Sequence, residues 1–280
     1  MNKKRIVVNL WHGVPLKKIA LQENSLNKIT KMYFEQIFSN NYTYILTTSK
    51  NIVPIMQKSF NVAEDKIKVW GQPRNDAIFK KNNRSDILCD LYGQLPTYQN
   101  IILYAPTYRQ GVKTVFFPFE DFNKDELKNF LNEKELIIFI RCHQSENQSI
   151  LTEYGDRVRL INADLVDEIT DIINIFDLLI TDYSSIFIDY LLTKKPIIFL
   201  PYDKENYLRQ RGLNFEYDEV TPGPKPNTFI DFKKEIDRLI NDNEYYLNDR
   251  KKTNLYFNDI SYKCSSKICF LIKENIKNIK

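Results

Sequence analysis

Glycine is scarce in this chain, with seven among 280 residues. Placed so sparingly, Gly13, Gly71 and Gly223 each fall beside a sharp turn, where positive φ or close backbone approach requires the missing Cβ. Histidine is scarcer still, present only as His12 and His143. With no third histidine and no HxxH or DxD-like spacing near these two, a zinc or other metal cluster is excluded from the reading. The four cysteines, Cys89, Cys142, Cys264 and Cys269, lack both CxxC pairing and the density of a secreted disulfide scaffold. They read as reduced thiols of a cytoplasmic protein. Long apolar runs are missing as well. The start "MNKKRIVVNLW" carries about six apolar residues, too few for a signal-peptide core or a bilayer span. The charge balance of 40 Lys and Arg against 36 acids leaves only +4, which demands no nucleic acid but favours an anionic ligand or surface. GxSxG, GxxxxGK[ST] and GxGxxG are all absent, so the chain is neither a nucleophile-elbow hydrolase, nor a P-loop enzyme, nor a standard dinucleotide binder.

What is present is a recurring alternation. Apolar, β-branched runs at 5–10, 44–48, 66–70, 100–105, 135–141, 157–161, 178–181 and 196–200 read as strands buried on both faces. Between and after them lie helical patterns near 24–39, 50–60, 121–132, 165–175, 184–194, 203–210, 229–242 and 244–260. Such β/α alternation predicts parallel sheets with helices on both faces. The five strands between 100 and 200 make a complete doubly wound unit, whereas the three before residue 95 are few for an independent sheet. The polar, turn-rich segment 80–99 reads as the linker. The division expected is a partial front domain at 1–95 and a second Rossmann-like domain at 96–280 that keeps the C-terminal helices. The tail's stripe of Ile268, Leu271, Ile272 and Ile276 suits packing on the body of the protein, although its basic residues also allow contact with anionic lipid.

In open α/β sheets ligands bind beyond the carboxyl ends of the strands. His12 of "WHG" follows the first strand there, and His143 of "RCH" follows the fifth, with Arg141 two residues earlier on the same strand face. A solitary histidine is also a common structural residue, but both histidines here occupy strand ends, one in each half. Thr107 and Arg109 end the fourth strand in "YAPTYRQG", where an arginine can clamp a phosphate. In "GQPRND" Arg74 and Asn75 sit at a strand-to-helix turn, as ligands or simply as turn and cap residues. Asp182, Ser184 and Ser185 of "TDYSS" precede an apolar helix, where they serve as caps or, with the helix's free N–H groups, as a phosphate site.

Taken in order, "LWHGVPLKKI", "GQPRND", "ILYAPTYR", "RCH", "ITDYSSIFIDYLLTKKPIIFLPYD" and "TPGP" resemble the CDP-glycerol glycerophosphotransferases, the teichoic acid primases and polymerases, along with similar proteins of capsule synthesis. The resemblance implies an α/β, GT-B-like fold of two Rossmann-like halves with parallel sheets, here with the front half cut short, because family members carry a further stretch before the WHG strand. It also implies metal-independent transfer of glycerol phosphate from CDP-glycerol, or from another CDP-polyol, to a hydroxyl of a lipid-linked or polymeric acceptor, with release of CMP and no cofactor. His12 maps onto the family's proposed general base and His143 onto the residue that contacts or neutralises the donor diphosphate. Arg109, Asp182, Ser184 and Ser185 line the donor side. The expected setting is the cytoplasm, at the inner face of the membrane, with self-association or a partner chain completing the front half. Two other readings stand beside it: a noncatalytic nucleotide-binding fragment or partner subunit, and a GT-B transferase of nucleotide sugars.

Overall fold

A computed structural model describes residues 5–24, 26–109, 114–142, 153–260 and 262–277. Among these residues all eight expected strands form, as β1 (Val8–Asn9), β2 (Tyr44–Thr47), β3 (Ile67–Val69), β4 (Asn100–Ala105), β5 (Leu136–Ile140), β6 (Val158–Leu160), β7 (Leu178–Thr181) and β8 (Ile197–Phe199). The helices of the first half are α1 (Lys28–Met32), α2 (Ser39–Asn41), α3 (Val53–Phe60), α4 (Arg84–Tyr92) and α5 (Lys124–Glu133). They are followed by α6 (Ile186–Tyr190), α7 (Lys204–Gln210), α8 (Tyr217–Val220), α9 (Phe229–Asn241), α10 (Leu247–Phe257) and α11 (Cys264–Lys277). Every strand pairing is parallel, giving one sheet of order β1-β2-β3 and another of order β6-β5-β4-β7-β8. The two parallel sheets agree with the α/β, GT-B-like class expected.

The chain divides into two compact units, but not where the composition shifts. One holds Met1–Phe79, Asp203–Val220 and Lys252–Lys280; the other holds Lys80–Tyr202 and Thr221–Lys251. The boundary expected after residue 95 thus falls after Phe79, and α7, α8 and α11 belong with the front sheet. Side-chain chemistry explains the return of the last helix. Cys264 and Ile268 of α11 are buried against Leu46 of β2, with Val8, Trp70 and Ile272 packed around them. Thr48 and Ser49, just beyond β2, donate to the carbonyls of Phe257 (2.6 Å) and Tyr256 (2.7 Å) at the end of α10. Ile268 and Ile272 of the tail stripe therefore serve packing, whereas Ile276 is exposed.

The supposed linker at 80–99 is an ordered part of the second unit. Asn83 caps α4 by accepting from the Ser85 N–H, Leu88 is buried, and the Tyr92 hydroxyl donates to the Leu160 carbonyl at 2.6 Å. Polar composition hid a helix that buries one residue deeply and pins its ends. In the other direction, the helix expected at 165–175 is absent. Two 3₁₀ turns, Ile169–Asp171 and Ile173–Ile175, take its place. The run contains Ile169, Thr170, Ile172, Ile173 and Ile175, whose branched Cβ atoms disfavour an α-helix. The helix expected at 184–194 is shortened to α6 plus one 3₁₀ turn at Leu191–Thr193. The front helical pattern at 24–39 forms later, as α1, a π-helical stretch Tyr33–Phe38, and α2.

In the second unit the core lies on both sides of β4, β5 and β7, all of whose apolar residues are buried. Phe116, Phe117, Phe119, Phe229 and Phe232 fill one face together with Leu127 and Leu131 of α5.

Candidate functional site

In the front unit the loops after β1 and β3 are joined. The Asn9 side chain accepts from the Trp11 N–H at 2.9 Å and turns the chain sharply, with Trp11 at φ 54°. This brings His12 out of the strand, exposed to solvent on one side and covered on the other by the Trp11 ring, 4.2 Å between centroids. Gly13 follows at φ 127°, and a Cβ placed on it would lie 2.7 Å from Arg74 Nη2. Only glycine allows both the backbone turn and the approach of the guanidinium. The Gln72 side chain, almost fully buried, donates to the Leu10 carbonyl at 3.0 Å and ties the two loops. Partial burial first, and the Arg74 charge second, hold the His12 imidazole below its ordinary pKa. It is thus a neutral base at physiological pH, with one face open to a substrate. Asn75 is fully buried, and neither atom of its amide has a hydrogen-bond partner among the described residues.

The second unit supplies another constellation. Its strand order reverses direction between β4 and β7, so the segments after these neighbouring strands open the crevice in which doubly wound sheets bind ligands. The Asp182 carboxylate joins them. It accepts from the Thr107 N–H (2.8 Å), the Tyr183 N–H (2.6 Å) and Arg109 Nη2 (3.0 Å). Arg109 also donates to the Thr107 carbonyl at 3.0 Å, and its guanidinium lies 4.8 Å from the centre of the Tyr202 ring. The ion pair is buried, with side-chain exposures of 10% for Arg109 and 3% for Asp182. The buried Thr107 hydroxyl has no partner among the described residues. Ser184 Oγ accepts weakly from the Ile186 N–H at 3.4 Å, while Ser185 makes no capping bond, so both hydroxyls can turn to a ligand.

The residues singled out in the sequence therefore fall into two groups. His12, Arg74 and Asn75 belong to the front unit; Thr107, Arg109, Asp182, Ser184 and Ser185 belong to the second. Arg141, expected as a ligand-binding residue, is placed in the second unit beside the loop after β6. Its guanidinium is committed to the carbonyls of Ile161 (3.2 Å), Val166 (2.5 Å) and Asp167 (2.9 Å), and so braces the loop after β6. His143 lies outside the described residues. Three further residues escaped the sequence reading: Gln72 and Tyr202, and also Asp76, whose carboxylate accepts the N–H groups of Cys264 and Ser265. Gln72 and Asp76 stand inside the quoted "GQPRND" and Tyr202 inside "FLPYD", but a polar residue's partner forty or more positions away leaves no local pattern.

Residues 1–273 match the family of CDP-glycerol:poly(glycerophosphate) glycerophosphotransferases. The chain belongs to that family. It is 31% identical over 246 residues to a teichoic acid glycerol-phosphate transferase of Staphylococcus aureus (strain NCTC 8325 / PS 47), covering 83% of this chain and 62% of the relative. Against a teichoic acid poly(ribitol-phosphate) polymerase of Bacillus spizizenii (strain ATCC 23059 / NRRL B-14472 / W23) it is 27% identical over 274 residues, which cover 96% of this chain and 43% of the relative. Among solved structures, a variant of the wall teichoic acid polymerase TagF with CDPG superposes with a TM-score of 0.83 at 26% identity, over 99% of this chain and 70% of that one. The chain thus spans less than two thirds of the length of these two sequence relatives.

Proposed function

We propose that the chain transfers a polyol phosphate, with CDP-glycerol as donor, to a hydroxyl of a lipid-linked or polymeric acceptor. The observation that carries this reading is His12 itself: an open imidazole at a strand's carboxyl end, held neutral, in a member of this family. The acceptor hydroxyl loses its proton to His12 as its oxygen bonds to the glycerol-phosphate phosphorus. The bond from that phosphorus to the bridging oxygen breaks, and CMP leaves. Arg74 and Asn75 are proposed to bind substrate near His12. On the donor side Thr107, Ser184 and Ser185 supply hydroxyl donors for the diphosphate, in a frame fixed by Arg109 and Asp182. The test is CMP release from CDP-glycerol, with and without a lipid-linked glycerol phosphate acceptor. No acceptor-dependent release would overturn the reading. Running CDP-ribitol in parallel identifies the polyol, since one of the relatives is a ribitol-phosphate polymerase.

The donor-side assignment has its own check. Thr107→Val preserves shape and removes a hydroxyl that has no partner among the described residues. Stability should be unchanged, while CDP-glycerol affinity measured by calorimetry should fall about tenfold, the loss of one hydrogen bond to a charged group. Equal affinity would remove Thr107 from the donor site.

Peripheral membrane contact is proposed through α1 and the stretch after it. No helix among the described residues is long and apolar enough to cross a membrane. Ile29 (77% exposed), Met32, Tyr33 and Ile37 nevertheless form an exposed apolar stripe, with Lys28 and Lys31 on the same helix. An amphipathic surface of this kind suits the headgroup region of anionic lipid. Ile29→Asp combined with Met32→Asp should abolish flotation with vesicles containing anionic lipid and leave folding intact. Flotation at the wild-type level would place the contact elsewhere or show that there is none.

A further inference from the structure

The turn that carries Arg74 is built on the C-terminal helix. Pro73–Phe79 is a 3₁₀ helix, and within it the two Asp76 oxygens accept the N–H groups of Cys264 and Ser265, each at 2.8 Å. These are the first two residues of α11, a helix of fourteen residues, so the carboxylate takes up donors that the helix itself leaves unpaired. The Ser265 hydroxyl donates to the Pro73 carbonyl at 3.4 Å. At the start of the same turn Gly71, at φ 83°, lies so close to Cys264 that a Cβ there would be 2.5 Å from the sulfur. Burial, and then the Asp76 charge, push the Cys264 thiol up to about 11, so this sulfur is an inert packing atom. These contacts between the turn and α11 bear on residues 71–76, the stretch that presents Gln72 to Leu10 and Arg74 to Gly13.

We propose that Asp76 is a positioning residue: by capping α11 it fixes the turn that holds Arg74 against Gly13 beside His12, so that the last helix of the chain is a working part of the His12 site. A cap that mattered only to helix stability would leave the surroundings of His12 unaltered when removed. A cap that positions Arg74 would not. Arg74 is the charged group that acts on His12, so displacing it returns the imidazole toward its ordinary value.

The proposal rests on the transferase reading for its meaning but not for its test. With only two histidines in the chain, the imidazole resonances of the 280-residue chain can be assigned from a His12→Ala sample and followed against pH by NMR. Arg74→Gln is expected to raise the His12 midpoint toward about 6.5. Asp76→Ala is expected to raise it in the same direction, and Asp76→Glu, which restores a carboxylate, to bring part of the shift back. Ser265→Pro tests the other side of the contact, because proline is tolerated in a helix's first turn yet removes one of the two N–H donors; it should also raise the midpoint, and it serves if Asp76→Ala does not fold. A His12 midpoint unmoved in folded Asp76→Ala or Ser265→Pro protein, while Arg74→Gln moves it, would overturn the proposal. So would an unmoved midpoint in Arg74→Gln, since Arg74 would then not act on His12 at all. Failure of the transferase reading would appear separately, as intact NMR shifts without CMP release.

Discussion

Replacing His12 with alanine should reduce acceptor-dependent CMP release by about 10²–10⁴-fold, the usual contribution of a positioned general base. Donor affinity should change little, because the diphosphate ligands proposed lie on the second unit, on residues after β4 and β7. The side chain is exposed, so the substitution should shift stability by no more than about 0.5 kcal/mol, as surface changes away from special features do. A variant that unfolds like the wild type and releases CMP at the wild-type rate would remove His12 from the chemistry. The pH profile gives an independent check with a defined sign. Since burial and Arg74 lower the His12 pKa, the acid limb of kcat/KM should lie below the ordinary value of about 6.5, with the rate flat from there toward neutrality. The same shift links to folding. Below that ordinary value the unfolded chain binds more protons at this position than the folded one, so the His12 contribution destabilises the fold progressively as pH falls through that window. An acid limb above the ordinary value would mean that the imidazole is not the base, or that substrate reverses its surroundings.

Asp182→Ala should cost about 3–5 kcal/mol of stability, because it strands a buried arginine and two backbone N–H groups at once. The carboxylate accepts from Thr107, Tyr183 and Arg109, and both members of the ion pair are at least nine-tenths buried. A loss of this size should be visible as a lower urea midpoint with an unchanged slope. Arg109→Ala should cost less, since the carboxylate keeps its two N–H partners. The double variant should be more stable than the sum of the two losses predicts, because removing both members leaves no unpaired buried charge. A midpoint for Asp182→Ala within about 0.5 kcal/mol of wild type would show that water or rearrangement satisfies Arg109, and the frame assigned to the donor side would lose its basis. The physical point is that Arg109 does not wait as an open phosphate clamp. Its charge is already engaged with Asp182, and the pair fixes the shape of the Thr107 segment that is proposed to meet the donor.

Much of this was legible in the chain itself. Strands buried on both faces betray themselves as continuous apolar runs, and all eight expected strands form. The positions directly after them, "WHG", "GQPR", "APTYR" and "TDYSS", could be picked out because parallel sheets present ligand sites at their carboxyl ends. Helices were less legible where tertiary contacts outweighed local preference. The segment 80–99 looked like a linker because only Leu88 of α4 is deeply buried. The segment 165–175 looked helical by its apolar spacing, although its branched residues favour the short turns that form.

Sequence alone therefore determined the class of fold, the family, and the short stretches proposed to carry chemistry, because periodicity and motif spacing are local properties of the chain. Tertiary structure alone decided which of those stretches meet. Asp76 lies 188 residues from Cys264, Asp182 lies 75 from Thr107, and Gln72 lies 62 from Leu10. No local pattern encodes such partners; they are fixed only when the strand order places two loops side by side and a last helix returns to the first sheet.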